Sequence, residues 1–297
     1  MSDRLQWKTD GAHWPHREHS RFVDAGACRW HVQVIGDGSA PVLWLLHGTG
    51  AASHSWRALV PRLAPLFTLV VPDLPGHGFS ARLPASRQSL PGMAAALGAL
   101  AQALALPPAA IVGHSAGAAL AVRAVLDGRL VPQRLVGINA ALMPFDGLPG
   151  WLFAPMARLM ASAPMVSWLF ARRARDPTAV RRLVAATGSR LDAEGLALYG
   201  QLMRSPGHVA GALAMMADWD LATLWHDLPR LTVPLDLLVA SHDGTVPPGQ
   251  AQRVRARLPG TRVLMLDRLG HLAHEEAPAV VAKRLLTLLA PERALAA

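Results

Sequence analysis

The chain has 297 residues, 52% of them hydrophobic and only 16% charged, which excludes a disordered or fibrous protein and leaves room for one large buried core. Its net charge of +9 is carried by arginine apart from Lys8 and Lys283, and a single Cys28 excludes an intramolecular disulfide. The polar start "MSDRLQWKTDGAHWPHREHSRF" lacks the apolar stretch of a secretory signal, so a cytoplasmic location is expected.

In chain order, "RFVDAGACRWHVQVIGDG" reads as two strands around a Gly turn, with period-2 alternation in "CRWHVQVI". "APVLWLLHG" is a continuous apolar run ending in His-Gly, as a central buried strand requires. "SHSWRALVPRLAPL" has helical spacing after a cap at Ser53 or Ser55. The strand "FTLVVPDLPGHG" closes in a Pro/Gly loop. A helix over about 90–106 follows, then the strand "AAIVG", a helix from Ala116 and the strand "RLVGINAAL". The strand–helix alternation stops near Leu142 and resumes at "PLDLLVASHD". After that come a helix beyond Pro247, the strand "TRVLMLD" and a last helix from Pro278 to about Leu289. This order predicts an α/β fold with a mostly parallel sheet covered on both faces. It divides the chain into a first core part (1–141), a helical insertion (142–228) and a second core part (229–297). Gln88 to Val122 carries no Asp, Glu, Lys or Arg, but Pro107-Pro108 cuts it, so the run reads as helix packed on sheet and not as a membrane span.

Gly113-His114-Ser115-Ala116-Gly117 lies between a strand and a small-residue helix. A serine in that turn adopts strained dihedrals, its hydroxyl is lifted above the sheet, and the helix N-terminus faces the reacting carbonyl. A nucleophilic serine needs a base, the base an orienting acid, and the oxyanion needs donors. Asp243, at the end of a strand in "LDLLVASHDGTVPP", is the candidate acid. His271, in "LDRLGHLAHEEAP", is the candidate base. The order Ser115, Asp243, His271 is that of an α/β-hydrolase triad. In "LLHGTG" the Thr49 amide lies just past a strand end and joins the Ala116 amide as the expected oxyanion hole. Asp73, in "VPDLPGHGFS", reads as a turn organiser, His274 as a supporting residue, and His47 as a brace of the oxyanion loop. Asp146 is a weaker alternative acid. The His13, His16, His19 series is interrupted by Pro15 and lacks a completing Cys or carboxylate cluster, so no metal site is expected.

The insertion holds seven of the ten methionines and four of the nine tryptophans, and it would close over Ser115 as a lid. Candidate pocket residues are His54, His114, Trp151, Phe153, Met215, Met216 and Trp219. Trp168 and Phe170 precede the basic stretch "ARRARDPTAVRR", which suggests a lid that meets a membrane surface as a peripheral contact. No nucleic-acid module is present, and nucleic acid is not an expected partner.

From about Ser20 onward the chain resembles the α/β-hydrolase superfamily. Within it, the chain is similar to the magnesium-chelatase accessory family of bacteriochlorophyll biosynthesis. "RWHVQVIGDG", "LLHGTGAASHSWR", "VVPDLPGHGFS", "VGHSAGAALAVR", "ALMPFDGLPG", "RSPGHVAGALAMMADWDL", "DGTVPP" and "LGHLAHEEAP" carry the likeness. The resemblance implies an α/β-hydrolase fold with a helical lid and a role around Mg²⁺ insertion into protoporphyrin IX in a photosynthetic bacterium. It also implies a porphyrin-like ligand, magnesium-chelatase subunits as partners, and no cofactor for the hydrolase chemistry. Two alternatives stay open: a porphyrin-binding or chelatase-assisting protein without catalysis, and a carboxylesterase outside pigment synthesis.

Overall fold

The computed structural model describes residues 3–144 and 164–289. Eight strands form one sheet: β1 (Ser20–Ala25), β2 (Cys28–Ile35), β3 (Val42–Leu46), β4 (Thr68–Pro72), β5 (Ala110–His114), β6 (Arg134–Ile138), β7 (Leu235–Ala240) and β8 (Arg262–Leu266). Their spatial order is β1-β2-β4-β3-β5-β6-β7-β8. β1 and β2 join antiparallel, as do β2 and β4, and every later pairing is parallel. This is the doubly wound sheet expected from the strand order.

Alternate side chains of each central strand enter opposite cores, because successive residues of a strand face opposite sides. Trp44, Leu46, Ile111, Leu237 and Val239 pack on one face, with helices α2 (Leu90–Leu104) and α3 (Ala116–Leu126). Leu43, Leu45, Val112, Leu238 and Ala240 pack on the other, against helix α1 (Val60–Leu63) and the C-terminal helix, Pro278–Leu289. Burying each such Leu or Val contributes about 1.5–3 kcal/mol, so both faces anchor the strand ends that carry the loops. The uncharged run 88–122 resolves into α2, β5 and most of α3. Among the described residues no helix is long and apolar enough to cross a membrane. Asp236 is the one carboxylate on β7. It is buried, and Arg134 of β6 (2.8 Å) and Arg262 of β8 (2.6 Å) pair with it from the two flanking strands.

One local expectation fails. Residues 53–56 form a 3-10 turn before α1, and neither Ser53 nor Ser55 caps it. Ser53 instead takes the indole N–H of Trp14 (3.0 Å) and gives its own N–H to Asp73, while the Ser55 hydroxyl donates to the Ala52 carbonyl. A short turn held by distant partners replaces the cap that sequence spacing suggests.

Between β6 and β7 the described residues form α4 (Pro164–Arg173), α5 (Pro177–Ala186), α6 (Ala193–Met203), α7 (Pro206–Ala217) and α8 (Leu221–Asp227). The aspartates before α5, α6 and α8, and Ser205 before α7, cap the first-turn amides. After β7 come α9 (Gln250–Arg257), α10 (Ala273–Glu276) and α11 (Pro278–Leu289).

Candidate active site

Ser115 stands between β5 and α3 with φ 51 and ψ −117, a left-handed conformation that costs a non-glycine residue on the order of 1–3 kcal/mol. Its N–H donates to the Ile138 carbonyl on β6, and its carbonyl accepts from Ala118 and Ala141, so three elements hold the strained turn. The flanking glycines are needed for close approach. A Cβ on Gly113 would lie 2.5 Å from the Ala118 Cα, and one on Gly117 would sit on the Leu46 carbonyl oxygen. Gly48 packs against Ser115 in the same way, because an added Cβ there would lie 3.1 Å from the Ser115 Cβ. The Ala116 N–H belongs to the first turn of α3, where amides have no intrahelical acceptor.

Asp243 and His271 meet across two loops. His271 Nδ1 donates to Asp243 Oδ2 at 2.8 Å, with both side chains almost fully buried. The other Asp243 oxygen accepts the N–H groups of Thr245 (2.7 Å) and Val246 (2.8 Å), which fixes the carboxylate plane. The His271 carbonyl accepts from Asn139 Nδ2 (2.7 Å) and from His114 Nε2 (2.9 Å). His114 directly precedes Ser115, and its ring lies 4.6 Å from that of His271, so the Ser115 turn and the His271 loop share one brace.

The inserted helices also hold these loops. The Thr187 carbonyl, just past α5, accepts both the Gly244 N–H and the His271 N–H, each at 3.1 Å. Ser189 Oγ accepts the Leu272 N–H at 2.8 Å. Between them Gly188 has φ +79 and touches the His242 carbonyl so closely that no Cβ fits. Below this contact Val180, Val184 and Tyr199 pack with Ala51 and Leu272, which flank Thr49 and His271.

A buried ionic link adds to it. Arg57 pairs with Glu275 (2.6 Å) and with Asp192 at the start of α6 (2.9 Å), and the Tyr199 hydroxyl donates to Glu275 (2.8 Å). Burial pushes Glu275 up to about 7 against the pull of Arg57.

The supporting histidines occupy defined positions. His47 Nδ1 donates to the Gly48 carbonyl while its Nε2 accepts the Leu74 N–H, both at 2.8 Å, so it braces the oxyanion loop as a neutral ring. Asp73 organises its turn through Ser53 and Phe79 N–H groups and also pairs with His31 at 2.8 Å. Burial opposes its charge, but His31 outweighs that and holds the carboxyl below the usual range. His274 is fully buried between the rings of Trp56 and His114, away from Asp243, and burial lowers it to about 3. His16 Nε2 donates to the Arg57 carbonyl.

The candidate pocket residues separate. Met215 is buried on α7, and its sulfur accepts the Thr49 hydroxyl at 3.6 Å, above the oxyanion loop. Met216 turns to the surface, and Trp219 is half-buried against the core. His114 lies beneath the site as the brace just described. His54 is fully buried, with its ring against those of Trp14 and Tyr199. Trp151, Phe153 and Asp146 lie outside the described residues.

Sequence reasoning missed Asn139, Thr187–Ser189 and His208. His208 Nδ1 accepts the Gly78 N–H (3.0 Å) and its Nε2 donates to the Gly50 carbonyl (3.1 Å), tying α7 to two core loops. The quoted run "RSPGH" contains His208, but nothing in its spacing names the distant partners.

A serine in a strained strand–helix turn of a mostly parallel sheet, with an Asp–His pair on two later loops, is the arrangement of an α/β hydrolase. The family model described as "Alpha/beta hydrolase family" matches residues 45–284, and the chain belongs to that family. It is 41% identical to the "Magnesium-chelatase 30 kDa subunit" of Rhodobacter capsulatus over 266 residues, 90% of this chain and 93% of that protein. It is also 32% identical to the pimeloyl-[acyl-carrier protein] methyl ester esterase of Vibrio vulnificus, over 86% of this chain and 96% of that one. A thermophilic esterase structure from Thermogutta terrifontis superposes with a TM-score of 0.72 at 23% identity, covering 91% of this chain and 98% of that one, a likeness of fold.

Proposed function

We propose that the protein is a serine hydrolase that assists magnesium insertion into protoporphyrin IX during bacteriochlorophyll synthesis. The observation that carries the chemical half is the Asp243–His271 pair at 2.8 Å, clamped to the strained Ser115 turn by His114. Similarity to a magnesium-chelatase subunit supports the pathway half, and similarity to a methyl ester esterase supports the chemistry.

In this reading the Asp243 bond commits His271 Nδ1 as a donor, which leaves Nε2 to take the proton of the Ser115 hydroxyl. The Ser115 oxygen adds to an ester or thioester carbonyl, and the Thr49 and Ala116 amides hold the oxyanion. The carbonyl re-forms as the bond to the leaving group breaks, and His271 gives that group its proton. Water then gives a proton to His271 while its oxygen attacks the acyl carbon. The acid departs and Ser115 regains its hydrogen. The inserted helices act as a lid, with Met215 beside the Thr49 loop lining the space for an apolar, porphyrin-like ligand, and magnesium-chelatase subunits are the protein partners. Mg²⁺ is cargo of the partner enzyme and has no part in the hydrolytic steps.

The test is complementation of a bacteriochlorophyll-forming strain that lacks the protein. Wild type restores pigment, whereas Ser115→Ala is expected to leave protoporphyrin IX accumulated. Normal pigment with Ser115→Ala would overturn catalysis and leave a binding role at the chelatase. Normal pigment in the deletion strain would place the hydrolase outside pigment synthesis.

A further inference from the structure

Helix α4 is built inside out. Its buried positions are small: Ser167, Ala171 and, just past its end, Ala174 recur at helical spacing and are buried. Its large apolar side chains point to solvent. Met165 is 76% exposed, and Trp168, Leu169 and Phe170 are each more than half exposed. Leu183 on α5 is exposed as well, so half of the exposed large apolar side chains among the described residues fall between 165 and 183. Single exposed apolar residues are ordinary, but four within six positions of one helix mark an interaction surface.

Charge decides what that surface meets. Arg172 and Arg173 on α4, Arg175 in the turn after it, and Arg181 and Arg182 on α5 are all exposed, and Arg172 lies over the Trp168 ring at 5.6 Å. From 164 to 191 the only acid is Asp176, whose carboxylate is already used on Thr178 at the start of α5. A second copy would set arginine against arginine. A bilayer with anionic headgroups takes both components, the aromatic and aliphatic groups at the acyl boundary and the guanidinium groups at the phosphates. We propose that the exposed face of α4, with the arginines that follow it, docks on an anionic phospholipid bilayer. The contact is peripheral, since no described helix is long enough to span. It does not depend on the chemistry at Ser115.

Sedimentation of the full chain with vesicles tests this, using phosphatidylcholine alone and with about 30% phosphatidylglycerol. Wild type is expected to pellet with the anionic vesicles, to pellet weakly with the neutral ones, and to be released by about 0.5 M salt. Arg172→Gln with Arg173→Gln is expected to weaken partitioning about 25-fold, near fivefold per arginine. Trp168→Ser with Phe170→Ser is expected to abolish it. Both variants should keep the wild-type Tm and fluorophosphonate labelling, which separates lost docking from a lost fold or a lost active site. Equal pelleting of wild type and variants would overturn the proposal, and so would no binding by wild type. A wild-type dimer that the Trp168/Phe170 variant renders monomeric would overturn it in favour of self-association.

Discussion

Asp243→Asn is expected to lower kcat/KM for a short p-nitrophenyl ester by about 10⁴-fold. The reason lies in the fixed orientation of the carboxylate. Its Oδ1 accepts two backbone N–H groups, from Thr245 and Val246, and an asparagine would keep its carbonyl oxygen there. The amide nitrogen would then occupy the position of Oδ2 and donate to His271 Nδ1. His271 would be forced into the tautomer with hydrogen on Nε2, which cannot accept the Ser115 proton. Ground-state binding and Tm should change little, since the substitution is isosteric and the loop bonds remain. A loss of less than about tenfold would contradict the assignment of Asp243 as the orienting acid.

The second large effect is acid unfolding. Six histidines, His47, His54, His77, His114, His208 and His274, are held below the ordinary imidazole range, in each case chiefly by burial, with His208 at about 4 and His274 at about 3. Two of them also accept backbone N–H groups, His47 from Leu74 and His208 from Gly78, and a proton on the accepting nitrogen would break those bonds. The folded chain therefore stays neutral at these sites while the unfolded chain protonates them as pH falls through 6.5. The stability they leave intact above pH 6.5 is lost progressively between 6.5 and 4. Near pH 5.5 each of these histidines that takes up its proton only on unfolding contributes about 1.2 kcal/mol per pH unit, and Glu275, raised to about 7, offsets one of them. The histidines outnumber it, so stability falls as the pH is lowered, and a few kcal/mol is a large share of the stability of an ordinary domain. Urea unfolding at pH 8, 7, 6 and 5 should show a midpoint that changes little above pH 7 and falls between pH 6 and pH 5. A midpoint unchanged from pH 7 to 5 would contradict the neutral, buried histidines.

Most of the sheet was legible because its residues state their own environment. "APVLWLLHG" and "AAIVG" are apolar on both faces, which only a doubly covered strand requires, and Gly113 and Gly117 mark backbone that approaches too closely for a Cβ. The Ser115, Asp243 and His271 loops were legible because each sits just beyond a strand end. The supports of the site were not. Asn139 lies one residue past β6 and clamps a carbonyl 132 positions away, and the Thr187 carbonyl bonds two loops that no local pattern links to α5. Such partners are set by the way the insertion packs back onto the core, and a hydrophobic period carries no record of that packing. The same holds for α4. In sequence Trp168 and Phe170 are marked only by the basic stretch that follows them, and it is the small residues on the buried face that turn them outward.

The central claim is that Ser115 is an activated nucleophile. Incubating pure wild-type protein with a fluorophosphonate probe and mapping the modified peptide tests it most directly. The account predicts one label per chain, on the peptide that contains Ser115, and none on Ser115→Ala. Absence of label on wild type, or equal labelling of both proteins, would contradict it.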